Sequence, residues 1–206
     1  MNDARNEYVA PLGSATTGRL EFVRGAYNLT IHPDASTADL YRARFEGTAP
    51  DVRVEDGTVR VEYSRTWRPL DWRKFSAHVA LNTAVPWAVK VRGGASEIKA
   101  GLSGLRLESF EIGGGAHNVE LTIPGPSGTI SIRIEGGANN LSVRRPRGVA
   151  TRLNVGRGAS NLVLDSQRLG AVGGETTLES GSYAGATDRY EITITGGAND
   201  VSVLAT

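Results

Sequence analysis

The sequence predicts an all-β chain: a single-stranded right-handed parallel β-helix, or β-solenoid, with coils of about 21–22 residues and a β-rich N-terminal cap. Three observations lead there. A Gly-Ala-x-Asn tetrad or a close variant recurs at Gly25, Gly94, Gly115, Gly137, Gly158 and Gly197. Each copy is flanked by two short stretches in which apolar residues alternate with polar ones, the period of a half-buried strand. Glycine is abundant, at 26 of 206 residues, and no segment carries the 3.6-residue apolar period of a long amphipathic helix.

The corners come first, because they set the repeat. From Gly94 to Gly158 the steps are 21, 22 and 21 residues, and the step from Gly158 to Gly197 is 39, about two periods with one degenerate copy between. Alanine follows each glycine (Ala26, Ala95, Ala116, Ala138, Ala159, Ala198), as a tight bend with an inward-turned side chain requires. The fourth position reads Asn28, Glu97, Asn118, Asn140, Asn161 and Asp200. Asn tolerates the left-handed backbone region, and stacked copies could join side chain to side chain. Asn28, Asn118, Asn140, Asn161 and Asp200 are therefore expected to form a structural corner ladder. The third position (Tyr27, Ser96, His117, Asn139, Ser160, Asn199) varies and carries no expectation.

The flanks come next. Three residues before each glycine sit Phe22, Val91, Ile112, Ile134, Val155 and Ile194, and five before sit Leu20, Val89, Phe110, Ile132, Leu153 and Ile192. Four after sit Leu29, Ile98, Val119, Leu141, Leu162 and Val201, and six after Ile31, Ala100, Leu121, Val143, Leu164 and Val203. The inward positions at −3 and +4 are an odd number of residues apart, so an uninterrupted strand would turn one flank outward, and the tetrad must reset the register. The period is half that of a propeller blade. An antiparallel meander of hairpins turning at the tetrad is the alternative; repetition of residue type at equivalent positions favours stacking.

The N-terminal part reads differently. Strand alternation over Tyr41–Phe45, Val52–Val54 and Val59–Tyr63, with Asp56-Gly57 between the last two as a hairpin signal, suggests a capping part over residues 18–84 that covers the first open coil edge. Residues 1–17 are expected to be a flexible N-terminus and 85–206 to be the repeats, with 18–206 one continuous domain. Trp87, after Pro86 at a strand start, is expected in the core.

Composition bounds the function. A net charge of +1 supplies no field for wholesale attraction to nucleic acid. The absence of cysteine excludes disulfides, thiolate catalysis and cysteine-ligated metal. No stretch is apolar enough to span a membrane and no signal peptide is visible, so the chain is expected to be soluble and, by default, cytoplasmic. His32, His78 and His117 are scattered and read as surface or turn residues. Gly113-Gly114-Gly115 and Gly173-Gly174 lack the lysine and helix of a phosphate loop. The outward residues Lys90, Arg92, Glu111, Arg133, Glu135, Asn154 and Thr193 form a mixed face rather than the acid pair of a glycan-cleaving β-helix. No catalytic residue, metal site or cofactor is expected. The run Arg144-Arg145-Pro146-Arg147 reads as a solvated outer turn.

The candidate partner- or ligand-binding residues are Trp67, Arg68, Trp72 and Arg73, where tryptophans alternate with basic residues in an expected loop. The competing reading folds both tryptophans over the end of the core as part of the cap.

The segments Val85-Pro86-Trp87, Arg92-Gly93-Gly94-Ala95-Ser96, Leu102-Ser103-Gly104-Leu105, Gly136-Gly137-Ala138 and Thr195-Gly196-Gly197-Ala198 resemble the bacterial toast-rack and LiaF-like β-helical domains, close to adhesin-like families of unknown function. The resemblance covers roughly residues 18–206. It implies a non-enzymatic scaffold or adhesin-like interaction module linked to the cell-envelope stress response, with a protein partner or self-association expected and a glycan as a further candidate. The alternative is a carbohydrate-binding or carbohydrate-active β-helix that uses the Trp67–Trp72 loop.

Overall fold

The computed structural model describes residues 6–63, 76–181 and 183–206. Among them the regular secondary structure is almost entirely strand: β1 Glu7–Pro11, β2 Gly18–Phe22, β3 Ala26–Asp34, β4 Asp39–Glu46, β5 Asp51–Glu55, β6 Thr58–Glu62, β7 Ser76–Asn82, β8 Pro86–Val91, β9 Ala95–Gly101 and β10 Arg106–Ile112. There follow β11 Ala116–Thr122, β12 Thr129–Ile134, β13 Ala138–Arg145, β14 Ala150–Val155, β15 Ala159–Leu164, β16 Gln167–Val172, β17 Thr176–Glu179, β18 Arg189–Ile194 and β19 Ala198–Ala205, with one 3-10 turn at Tyr183–Gly185.

Two sheets hold these strands. One has ten strands in the order β1-β4-β7-β3-β9-β11-β13-β19-β15-β16, the other nine in the order β17-β14-β18-β12-β10-β8-β2-β6-β5. Each tetrad ends a strand of the second sheet and starts one of the first, so the corner passes the chain between sheets, as the parity of the flanks demands. Most pairings are parallel; antiparallel ones sit towards the ends, at β1–β4, β4–β7, β5–β6, β14–β17 and β15–β16. All twenty-four flank positions singled out above are buried, none more than 2% exposed. Each large aliphatic there contributes about 1.5–3 kcal/mol on burial. The six corner alanines are buried beside them. Trp87 is fully buried, and its indole N–H donates to the Asn82 carbonyl at 2.8 Å.

The order of the rungs departs from expectation. No degenerate coil lies between Gly158 and Gly197. Instead β18 and β19 insert between the β12–β13 and β14–β15 rungs, in register Ile132↔Ile192 and Leu153↔Ile192 on one sheet and Leu141↔Val201 and Leu162↔Val201 on the other. The corner hydrogen bonds give the same order, each alanine N–H donating to a glycine carbonyl one rung on: Ala26 to Gly94, Ala95 to Gly115, Ala116 to Gly137, Ala138 to Gly197 and Ala198 to Gly158, at 2.9–3.2 Å. Residues 165–181 are taken up by the return strands β16 and β17, which pair antiparallel with β15 and β14. Because every rung presents the same apolar pattern, any two can pack, and the turn at Asp165 (φ 53°) reverses the chain before another parallel strand can form.

Two further differences are local. Residues 7–11, inside the stretch expected to be flexible, form β1, with Tyr8 and Ala10 packed against the core and Val9 exposed, so the apolar face is short. The Arg144–Arg147 run is not wholly a solvated turn: Arg145 is 2% exposed and its guanidinium is paired with Asp165. The Asp56-Gly57 hairpin forms as expected, both residues at positive φ (45° and 76°) between the antiparallel β5 and β6.

Candidate interaction surface

All six residues at the fourth corner position adopt the left-handed backbone: Asn28, Glu97, Asn118, Asn140, Asn161 and Asp200 lie between φ 47° and 57°. This conformation breaks the strand parity and turns both flanks inward. It disfavours most side chains but is tolerated by Asn and Asp, whose short polar groups bond locally. Their side chains also meet across rungs. The Asn140 amide donates to Asn118 Oδ1 at 2.8 Å, and the Asn118 amide donates to Glu97 Oε1 at 2.5 Å. The Asn161 amide donates to Asp200 Oδ1 at 2.8 Å. Both runs therefore end on a carboxylate, which makes the terminal bonds charge-assisted.

Beside this column lies a second one that sequence reasoning missed. Ser160 donates to Asn199 Oδ1 at 2.6 Å, Asn199 donates to Asn139 Oδ1 at 2.7 Å, and Asn139 meets His117 Nδ1 at 2.9 Å. Asn199 also donates to Asp200 Oδ2 at 2.8 Å, so the two columns are joined. These third-position residues line a shallow open trough over the corner glycines and alanines. The available signal was that each of the four can both donate and accept. It stayed hidden because Asn199 is bonded to both Asn139 and Ser160 only in the inserted rung order.

The outer face of the nine-stranded sheet carries paired charges. Lys90 Nζ lies 2.9 Å from both oxygens of Glu111. The Glu21 carboxylate, 2% exposed, is held by Arg92 and, at 3.4 Å, by Arg60. Arg152 pairs with Glu179 at 2.6 Å and Arg24 with Glu62 at 2.7 Å. Glu21, Lys90, Glu111 and Arg133 are neighbours in register across β2, β8, β10 and β12, so opposite signs alternate along the row. On the other sheet His32 and His78 come onto one exposed face of β3 and β7, and His117 stands apart in the corner column. Among the described residues no group of three or more His, Asp or Glu is placed to hold a metal ion, and no helix is long and apolar enough to cross a membrane. Trp67, Arg68, Trp72 and Arg73 lie outside the described residues.

The profile of one protein family, described as the N-terminal domain of toast_rack, DUF2154, matches residues 2–144. The chain belongs to this family. The matched part of the toast-rack chain takes in β1 to β12 and all but the last residue of β13, and the inserted rung lies beyond it. Among solved structures, a "putative cell adhesion protein" from Clostridium sporogenes superposes with a TM-score of 0.72 at 18% identity, covering 97% of this chain and 98% of that one. The toast-rack chain shares its fold. A "putative adhesin" from Bacteroides fragilis gives a TM-score of 0.31 at 9% identity over 99% of this chain and 100% of that one, too low to carry an argument. No curated protein matches significantly.

Proposed function

We propose that this toast-rack domain is a non-enzymatic interaction module, adhesin-like in its mode of action, that serves the bacterial cell envelope by presenting a rigid, periodic surface to an extended or repetitive partner. The observation that carries this reading is how the surface polar groups are used. At the corners and across the nine-stranded sheet, amides and charges bond one another in rows along the stack instead of converging on a recess. Catalytic sites gather perturbed acids and bases in a cleft; rows of mutually satisfied groups on a flat sheet suit contact over area. The Clostridium sporogenes protein of the same fold, a "putative cell adhesion protein", agrees with this. The reading also takes the two sheets as sides of one right-handed β-helical winding, supported by strands that alternate between sheets and by parallel pairing of successive rungs.

The test is to incubate the purified chain with bacterial envelope fractions and a panel of glycans, following both retention and the mass of the added material. Saturable binding with the ligands unchanged in mass is expected. Release of shortened glycans would replace the reading with a carbohydrate-active one, and absence of binding to any fraction would remove it.

A further inference from the structure

The two ends of the stack are not equivalent. At one end the terminal strands are β1 and β5, at the other β16 and β17. A terminal strand presents a row of unpaired N–H and C=O groups, and folded proteins guard such edges with charge, proline or side-chain cover. Three of the four are guarded. β1 begins with Glu7 and ends with Pro11. β5 alternates Asp51, Arg53 and Glu55, with Arg53 paired to Asp51 at 2.6 Å. In β17 the Glu179 carbonyl accepts a bond from the Gln167 amide at 2.6 Å, and the Glu179 carboxylate is held by Arg152.

β16 is the exception. Its sequence, Gln-Arg-Leu-Gly-Ala-Val, has one charge and no proline, and every residue is exposed or half-buried. One edge pairs with β15; on the other, no strand follows among the described residues. Leu169 packs against the core yet stays half-buried, so apolar surface continues to this end of the stack.

We propose that β16 docks a second copy of this chain, the two β16 strands pairing antiparallel about a two-fold axis near Leu169 and continuing the ten-stranded sheet from one copy into the other. This rests on reading the chain as an interaction module, and names a partner for it. A second copy is the occupant because only one of the four terminal strands is unguarded. Head-to-tail growth would have to use β1 or β5, whereas pairing β16 with itself uses the bare edge twice and closes the assembly. Antiparallel pairing also lets a strand meet its own copy on a two-fold axis. With the axis at Leu169, the two leucines face each other and Arg168 lies opposite Gly170 of the copy, so no like charges are opposed.

The chain has no cysteine, so Leu169→Cys supplies a single reporter thiol. Facing residues of an antiparallel pair stand about 4.5–5.5 Å apart at Cα, within reach of a disulfide. Mild oxidation of the full chain is expected to convert Leu169→Cys to a covalent dimer, while Val54→Cys, on the guarded β5, stays a monomer. Wild-type protein should sediment increasingly as a dimer with rising concentration, and Leu169→Lys should lose that dimer with an unchanged circular dichroism spectrum. Wild-type protein that stays monomeric, or Leu169→Cys that crosslinks no better than Val54→Cys, overturns the proposal; crosslinking between the two variants when mixed shows head-to-tail association and overturns it as well. A monomer that still binds envelope fractions would end this inference and leave the proposed function standing.

Discussion

At Asn140 the backbone sits at φ 55° and the side chain bonds Asn118, so two independent contributions depend on one residue. A left-handed conformation costs a branched L-residue about 1–2 kcal/mol, and a lost hydrogen bond adds about 1 kcal/mol. Asn140→Leu should therefore lower the unfolding free energy by about 2 kcal/mol in urea titrations, and Asn140→Gly, which relieves the backbone term, by less. An unchanged midpoint for Asn140→Leu would remove the ladder from the stability account. Glycines beside the corner and away from it give a sharper contrast. A Cβ at Gly136 would stand 2.6 Å from the Gly115 nitrogen and 2.7 Å from the Gly114 carbonyl carbon, backbone that cannot move without parting the rungs. At Gly170 it would meet nothing within 4 Å. Gly136→Ala should cost about 3 kcal/mol or prevent folding, and Gly170→Ala should be near neutral, as read by thermal unfolding. The left-handed backbone of the fourth position was legible in the sequence because Asn and Asp have a backbone reason to stand there. The third-position column was not, because His117, Asn139, Asn199 and Ser160 share no residue type and their contact depends on which rung lies beside which.

Among the elements, the strands flanking the corners were legible in detail, since each reads as a period-two segment with its apolar face fixed by the corner. β1 escaped notice because five residues with an exposed Val9 carry little pattern. It nonetheless builds a cluster: the Tyr8 ring lies 5.4 Å edge-on from Phe45, and Phe45 lies 6.4 Å from Tyr63. Burial, and then the nearby Tyr8, pushes the phenols of Tyr41 and Tyr63 up to about 12 from 10.0. Raised folded values favour the neutral phenol in the native state, so this stability is fully present below about pH 10 and is lost as pH rises towards 12. The urea midpoint should hold level through neutral pH and fall above pH 10 together with the rise in phenolate absorbance. Tyr41→Phe should make that fall shallower, and a fall of unchanged steepness would place the alkaline weakness elsewhere. The Trp67–Lys74 segment, the binding segment that the sequence suggests, lies outside the described residues; iodide quenching of Trp67 and Trp72 with and without glycans tests it.

At the scale of the molecule, a repeat in sequence specifies which residues make a rung but not the order in which rungs stack. The 39-residue step before Gly197 has the length of two periods, yet 165–181 fold back as β16 and β17, and the last rung enters between two earlier ones. The continuous faces and corner columns of the proposed interaction module exist only in that order, which is therefore the central claim. Cysteine pairs at the third corner position test it directly, because the native chain has no thiol and neighbouring strands lie about 4.8 Å apart while strands two apart lie about 10 Å apart. Asn139→Cys with Asn199→Cys, and Ser160→Cys with Asn199→Cys, should each form an intramolecular disulfide on mild oxidation, and Asn139→Cys with Ser160→Cys should not. Ready closure of that third pair, with the first two remaining reduced, would show rungs stacked in sequence order and contradict the account.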